Sequence, residues 1–237
     1  NDIVLKSGWI SPGGSLEYGR TPASQMNDTL VVGGEVFNSG VTNQTNVNVN
    51  VTVSNEFGDE LITASISEDL VEKDSTSYIQ NIVSDFTPLA VGNYKLSITA
   101  SSDMDNDTGE HFTDNSYNRN FAITENLYSL DGFGVYDNDQ LNLNSVGTDN
   151  FLDNYDGLIL MTYYTIRERT EISGLEIGIS SQSKKDSKIL PFIIGLEAYN
   201  NKDVYDRIVE SEEGVTVSQY NIDNNLIFAP LPATTLE

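Results

Sequence analysis

One stretch decides the fold: Asn46-Val47-Asn48-Val49-Asn50-Val51-Thr52-Val53. Valine alternates here with a small polar residue for four full periods. Because successive side chains of a β-strand point to opposite faces, the pattern places every valine on one face and the polar residues on the other. A helix would distribute the same valines around its circumference. The stretch therefore predicts an antiparallel strand with one buried and one solvated face.

Other short segments of similar character flank this strand. They are residues 30–37, 64–66, 78–86, 94–100 and 120–124. Turn residues separate them, including Gly92-Asn93 and Asn38-Ser39-Gly40, a sequence suited to a positive φ. About seven short strands with turns between them are typical of a β-sandwich. We therefore predict an Ig/FnIII-like β-sandwich over residues 1–125.

The second half of the chain has a similar pattern without repeating the sequence of the first. Its strand candidates are residues 157–165, 172–179, 189–198, 214–219 and 226–229. The length of 237 residues also suits two domains. The sequence thus predicts an all-β protein of two tandem antiparallel β-sandwiches, the second a jelly-roll-like domain over residues 126–237.

The composition excludes several classes of partner and chemistry. There are 36 acidic and 12 basic residues, which give a net charge of −24. Such a surface repels nucleic acid and anionic lipid. No run of about 18 apolar residues occurs, so we expect no membrane insertion. Cysteine is absent, which excludes disulfides, thiolate metal sites and a catalytic cysteine.

A longer motif in the first half combines the valine strand with the segment before it, Leu30-Val31-Val32-Gly33-Gly34-Glu35-Val36-Phe37-Asn38-Ser39-Gly40. This combination resembles the CARDB type of bacterial Ig-like domain. Gly92-Asn93-Tyr94, Ser101-Ser102-Asp103 and Asn115 also fit it. The opening residues Trp9, Tyr18, Pro22 and Gln25 are similar to the lead-in of large exported bacterial proteins.

The second half is similar to the β-sandwich that often follows in the same proteins. The matching pieces are Ser145-Val146-Gly147-Thr148, Asp156-Gly157, Tyr164-Thr165-Ile166, Val215-Thr216-Val217-Ser218 and Tyr220-Asn221-Ile222-Asp223. The resemblance implies an extracellular or outer cell-surface location, commonly reached by the type IX secretion route. It also implies an accessory module joined to neighbouring domains of a longer chain, and it supplies no catalytic residue.

Residue types give little support to catalysis. His111 is the single histidine, so a two-histidine metal site is impossible. No Gly-x-Ser-x-Gly elbow and no phosphate-binding glycine loop occurs. A pair of glycosidase carboxylates is not excluded by residue type alone, but it requires a deep cleft. We therefore expect a chain that is not an enzyme.

One acidic loop is a candidate Ca²⁺ site. In the segment 103–110, aspartate recurs at alternate positions, and Ca²⁺ takes six to eight oxygen ligands. The candidate ligands are Asp103, Asp105, Asp107 and Glu110. The spacing does not match an EF-hand, and a solvated acidic loop is the alternative. A weaker candidate set is Asp149, Asp153 and Asp156.

Aromatic residues offer a glycan-binding alternative. The candidates are Trp9, Tyr163, Tyr164, Tyr199 and Tyr205. Tyr163 and Tyr164 fall in a predicted strand, so one ring should face outward, whereas Tyr199 and Tyr205 lie near predicted loops. The alternative is that tyrosine simply suits strands.

Two functions remain open from the sequence. The first is an adhesion or spacer module of a secreted or cell-surface protein, stabilised by Ca²⁺, with a glycan or surface protein as partner. The second is a carbohydrate-binding accessory module of a secreted polysaccharide-degrading enzyme. Binding to an insoluble polysaccharide distinguishes them.

Overall fold

A computed structural model describes residues 2–11, 18–105, 114–136, 141, 144–147 and 158–237. The chain divides into two compact units. Unit 1 comprises residues 1–142 and 162–167, and unit 2 comprises residues 143–161 and 168–237. The predicted boundary lies after residue 125, whereas residues 126–142 group with unit 1 in the structure. The separate folding of two domains stays a prediction.

Unit 1 is built from two sheets. Its described strands are β1 (Ile3–Ser11), β2 (Arg20–Pro22), β3 (Leu30–Asn38), β4 (Gln44–Asn55), β5 (Glu60–Val71), β6 (Thr76–Val83), β7 (Gly92–Ser101) and β8 (Ser116–Thr124). One sheet has the order β1-β3-β6 and the other the order β2-β8-β7-β4-β5. Neighbouring strands are antiparallel, except for β2 and β8, which run parallel. Both sheets contribute to one apolar core, so the predicted β-sandwich is confirmed.

The two faces of β4 follow the valine alternation. Its four valines, at positions 47, 49, 51 and 53, are at most 1% exposed. Val51 lies opposite Ile98 of β7, and Val32 and Val36 of the other sheet belong to the same core. Asn50 on the opposite face is exposed. The predicted strand and the assignment of its faces are therefore confirmed.

The turn after β3 is fixed by a buried side chain. The Asn38 amide Nδ2 donates hydrogen bonds to the carbonyl oxygens of Thr42 (2.9 Å) and Val71 (3.0 Å). Its Oδ1 accepts a hydrogen bond from the Gly40 amide nitrogen at 3.0 Å. None of the residues 38–40 has a positive φ, so that expectation is wrong. The asparagine side chain, which bonds the backbone two residues on, makes the turn instead.

Unit 2 consists, in its described part, of three two-stranded antiparallel ladders and two short helices. The ladders pair β9 (Thr170–Gly178) with β14 (Leu226–Leu236), β10 (Lys188–Ile189) with β13 (Val215–Thr216), and β11 (Phe192–Ile194) with β12 (Arg207–Glu210). The helices are α1 (Leu196–Asn201) and α2 (Gln219–Asp223). A small core contains Val217, Ile222 and Ile227. The all-β class is confirmed, while no larger sheet occurs among the described residues of this unit.

Two predicted strands of the second half are wrong. Residues 158–165 contain no strand. At the end of this segment, the Thr165 amide nitrogen donates a hydrogen bond to Tyr18 Oη at 2.9 Å instead of to a neighbouring strand. The predicted strand 189–198 is interrupted after Ile189 because Pro191 cannot donate to a ladder, and it ends in α1, which contains Ala198.

Candidate functional site

The proposed Ca²⁺ loop begins where β7 ends. The Asp103 backbone nitrogen donates a hydrogen bond to the Thr45 carbonyl oxygen at 3.1 Å. The side chain of Asp103 accepts a hydrogen bond from the Asn46 amide, and Asp105 Oδ2 accepts one from Asn115 Nδ2 at 2.9 Å. These contacts bring the start of the loop next to the beginning of β4 and to the residue before β8.

The other acidic candidates and the single histidine lie outside the described residues. They are Asp107, Glu110, His111, Asp149, Asp153 and Asp156. Within the described part of the chain, no group of three or more histidine or acidic side chains could hold a metal ion. The Ca²⁺ site therefore stays a prediction.

Tyr164 lies in a packed cluster of tyrosines in unit 1. Its ring stacks on that of Tyr18, with centroids 6.0 Å apart, and it contacts Tyr128 at 5.3 Å. Tyr128 Oη also donates a hydrogen bond to the Thr165 carbonyl oxygen at 3.1 Å. The cluster holds residues 162–167 against the rest of unit 1. Tyr164 thus has a packing role that explains its position without a ligand.

Burial raises the pKa of the Tyr128 and Tyr164 hydroxyls above the ordinary value of 10.0. In unfolded chains these tyrosines ionise near pH 10, whereas the folded unit holds them protonated. The folded state therefore binds more protons than the unfolded state above pH 10, and its stability falls as the pH rises. Below pH 10 this contribution is fully present.

We expect the thermal stability of unit 1 to decline from about pH 10 upward, and the decline to be smaller in Tyr128→Phe. The measurement is thermal unfolding at several alkaline pH values, monitored through the absorbance of tyrosinate. Tyr220→Phe, which alters an exposed ring in α2, is the matched control. An equal decline in Tyr128→Phe and wild type would contradict the role given to Tyr128.

Trp9 lies on the outer face of the three-stranded sheet. Its indole contacts the ring of Tyr78, with centroids 6.4 Å apart and planes inclined by 38°. Tyr78 is 67% exposed. The cross-strand register places Ser7, Glu35 and Tyr78 in one row and Trp9, Gly33 and Gln80 in the next. We call this surface, formed by Ser7, Trp9, Glu35, Tyr78 and Gln80, the Trp9–Tyr78 face.

The sequence reasoning identified Trp9 but missed Tyr78. The available signal was the alternation in residues 76–83, where Ile79 is buried while Tyr78 and Gln80 are exposed. That pattern shows that Tyr78 faces outward. Only the register of β6 against β3 shows that it lies beside Trp9.

The other predicted aromatic residues are not part of the Trp9–Tyr78 face. Tyr163, in unit 1, is 37% exposed and lies outside any strand. Tyr199 lies in α1. Tyr205 is an exposed residue after that helix, and its amide nitrogen donates a hydrogen bond to Asp203 Oδ1 at 3.1 Å. The structure therefore brings Trp9 together with a residue that was not predicted.

The outer face of the five-stranded sheet is polar, and several of its side chains bond to one another. Ser65 Oγ donates a hydrogen bond to Asn50 Oδ1 at 2.8 Å, and Ser97 Oγ donates one to Asn118 Oδ1 at 2.9 Å. These pairs suit a solvated sheet face. A depression of about 210 Å³ at the end of this face is lined in part by Asn93, Lys95 and Asn120.

The fold has likenesses among solved structures. No family model matches the chain, and no curated protein matches it. The CARDB domain of a Pyrococcus furiosus protein, determined in complex with di-metal ions, is 12% identical over 52% of this chain and 93% of that domain, with a TM-score of 0.34. A domain from Methanosarcina acetivorans, of a protein assigned to the cell surface, is 17% identical over 53% of this chain and 93% of that domain, also with a TM-score of 0.34.

A third likeness is to one part of a larger protein. It is a protein of Bacteroides fragilis assigned as a β-galactosidase, 15% identical over 40% of this chain, with a TM-score of 0.32. The match spans only 14% of the length of that protein. A CARDB domain is thus among the similar structures, as the resemblance of the first half implied. The likeness concerns the β-sandwich and does not extend to function.

Proposed function

We propose that this chain is a non-catalytic segment of a secreted or cell-surface protein that acts as an adhesion or spacer module. The observation that supports an adhesive role is the Trp9–Tyr78 face. Tyr78 is exposed and Trp9 is half-buried on this open sheet face. Such rings are suited to contact with a partner, because tyrosine and tryptophan bury large areas and retain a polar group. As a spacer, the chain would be joined to neighbouring domains of a longer chain.

The charge limits the partner of this module. A net charge of −24 opposes association with nucleic acid and anionic lipid. No helix in the described residues is long and apolar enough to cross a membrane. A glycan or a surface protein is therefore the partner that we propose.

A second function is favoured by the residues around Trp9. Glu35 and Gln80 place hydrogen-bonding groups beside the two rings, as a sugar ligand requires. The chain would then be a carbohydrate-binding accessory module of a secreted polysaccharide-degrading enzyme. A pulldown of the full chain with insoluble polysaccharides tests this alternative. Retention of the chain on a polysaccharide supports the carbohydrate function. If no polysaccharide retains the chain, the spacer or protein-adhesion function remains.

We also propose that Ca²⁺ stabilises unit 1 through the loop that begins at Asp103. Extracellular modules bind Ca²⁺ with dissociation constants on the order of 0.1–1 mM. At a few-fold excess the gain in free energy of unfolding is about 1 kcal/mol, so we expect the melting temperature to rise by several degrees relative to chelator. The measurement is thermal unfolding at matched ionic strength, with Mg²⁺ as the control for nonspecific binding.

The matched variant changes Asp103, Asp105 and Asp107 to asparagine. This variant should lose the Ca²⁺-specific rise in melting temperature. It should keep the smaller rise that any divalent ion causes by screening the negative charge. If the Ca²⁺-specific shift is absent in wild type, or persists in the variant, the loop is a solvated acidic turn.

A further inference from the structure

We propose that the Trp9–Tyr78 face binds a chain of uncharged pyranose sugars by stacking them on the two rings. This inference rests on the proposed function as a binding module and names its ligand class and its site. One face of a pyranose ring carries mainly C–H groups and packs on an aromatic ring, while the hydroxyl groups at its edge need hydrogen-bond partners. A suitable site combines exposed rings with polar side chains at their edges.

The two rings meet because of the glycine between them. β1 and β6 lie on opposite sides of β3, so their backbones are separated by roughly 9–10 Å, twice the strand spacing. Gly33 lies directly opposite Trp9 in the register and carries no side chain. The indole can therefore lean across β3 toward Tyr78. A Cβ at Gly33 would lie 2.3 Å from the Ile79 carbonyl oxygen, so no larger residue fits there.

Polar groups border both rings. Glu35 lies between Ser7 and Tyr78 in the register, and Ser7 Oγ donates a hydrogen bond to Glu35 Oε2 at 3.3 Å. Gln80 is exposed in the same row as Trp9. The carboxylate accepts hydrogen bonds, and the amide both donates and accepts them. These are the groups that sugar hydroxyls require.

The position of Glu35 favours a sugar over a protein partner. Glutamate is depleted in the cores of protein–protein interfaces, where a charge would lose its solvation. Here the carboxylate of Glu35 lies within the face, between the two outer strands. Sugar hydroxyls and the water around them keep such a carboxylate hydrogen-bonded. The net charge of −24 further favours uncharged chains over uronic acid polymers.

The experiment uses Trp9 as its own reporter, because it is the single tryptophan of the chain. The full chain is titrated with three neutral soluble polysaccharides, hydroxyethyl cellulose, xylan and galactomannan, and with polygalacturonate as an anionic control. Stacking of a sugar on the indole shifts and shields its emission. We expect at least one neutral polymer to change the tryptophan emission and to protect it from acrylamide, and polygalacturonate to have no effect.

Variants then test the site. Tyr78→Ala keeps the reporter and should weaken binding at least about tenfold, which corresponds to about 1.4 kcal/mol. Trp9→Ala should cause a similar loss in a pulldown, and Trp9→Phe, which keeps a ring, a smaller loss. Phe57→Ala, at an exposed aromatic residue in the turn after β4, is the control and should bind as wild type does. Thermal unfolding verifies that each variant is folded.

The outcomes separate the site from the function. If no neutral polymer binds the full chain, both this inference and the carbohydrate function fail, while the spacer function stands. If a polymer binds but Tyr78→Ala and Trp9→Ala retain wild-type affinity, the carbohydrate function stands and this site is wrong. Binding of polygalacturonate as tight as that of the neutral polymers would overturn the assigned ligand class.

Discussion

Replacing Val49 with Asp is expected to remove a large part of the free energy of unfolding of unit 1. Val49 is completely buried between the two sheets, so the new carboxylate would have no solvent and no cationic partner. An uncompensated buried charge costs about 3–5 kcal/mol, which is a large part of the stability of an ordinary domain. The measurement is urea unfolding of the full chain, compared with wild type.

The neighbouring residue provides the matched control. Asn50 lies on the solvated face, and its Oδ1 accepts a hydrogen bond from Ser65. A carboxylate at position 50 can accept the same bond, so Asn50→Asp should change the free energy of unfolding by less than about 0.5 kcal/mol. Asn48→Asp should also be mild, although Asn48 Nδ2 donates to the Asn46 carbonyl oxygen at 2.8 Å and that bond would be lost. Equal effects at positions 49 and 50 would contradict the face assignment.

The part of the fold that the sequence predicts well depends on local periodicity. β4 has a buried face of valines and a solvated polar face because a strand has a period of two, whatever its neighbours are. The same argument finds β3 and β7. It does not find β2, a three-residue strand that pairs in parallel with β8, because so short a segment contains too little pattern.

The failures in the second half have a different cause. Residues 158–165 have a strand-like composition, but the backbone at the end of this segment bonds to side chains distant in sequence. Thr165 bonds to Tyr18, and the Arg167 amide nitrogen donates to Gln25 Oε1 at 2.8 Å. Backbone groups can find hydrogen-bond partners outside a strand. Composition alone cannot distinguish these two solutions.

The candidate site shows a similar limit. Trp9 can be selected from the sequence because it is the single tryptophan, and the outward direction of Tyr78 follows from alternation. Their proximity depends on β1 and β6 flanking β3, and on the absence of a side chain at Gly33. That information is non-local, so a sequence pattern indicates the residue types of the site without indicating which residues meet.

A fragment that ends at residue 125 is expected to be much less stable than one that ends at residue 167. The predicted domain boundary makes residues 1–125 a complete domain, whereas the structure gives several buried side chains of that fragment partners beyond it. Arg20 Nε donates a hydrogen bond to Ser129 Oγ at 2.9 Å, and Tyr18 packs against Tyr128 with ring centroids 4.4 Å apart. Gln25, 1% exposed, loses the Arg167 amide nitrogen as a partner.

Each lost hydrogen bond of this kind costs about 1 kcal/mol, and the tyrosine ring contacts add to that. For a domain of this size we expect fragment 1–125 to melt more than about 10 °C below fragment 1–167. The measurement compares thermal unfolding of fragments 1–125, 1–142 and 1–167. Fragment 1–142 restores Tyr128 and Ser129, so its melting temperature should be intermediate. Fragment 1–167 adds Thr165, which bonds to Tyr18, and Arg167, which bonds to Gln25. If fragment 1–125 melts cooperatively at the same temperature as fragment 1–167, the boundary predicted from the sequence is correct. Residues 126–142 and 162–167 would then contribute nothing to the stability of unit 1.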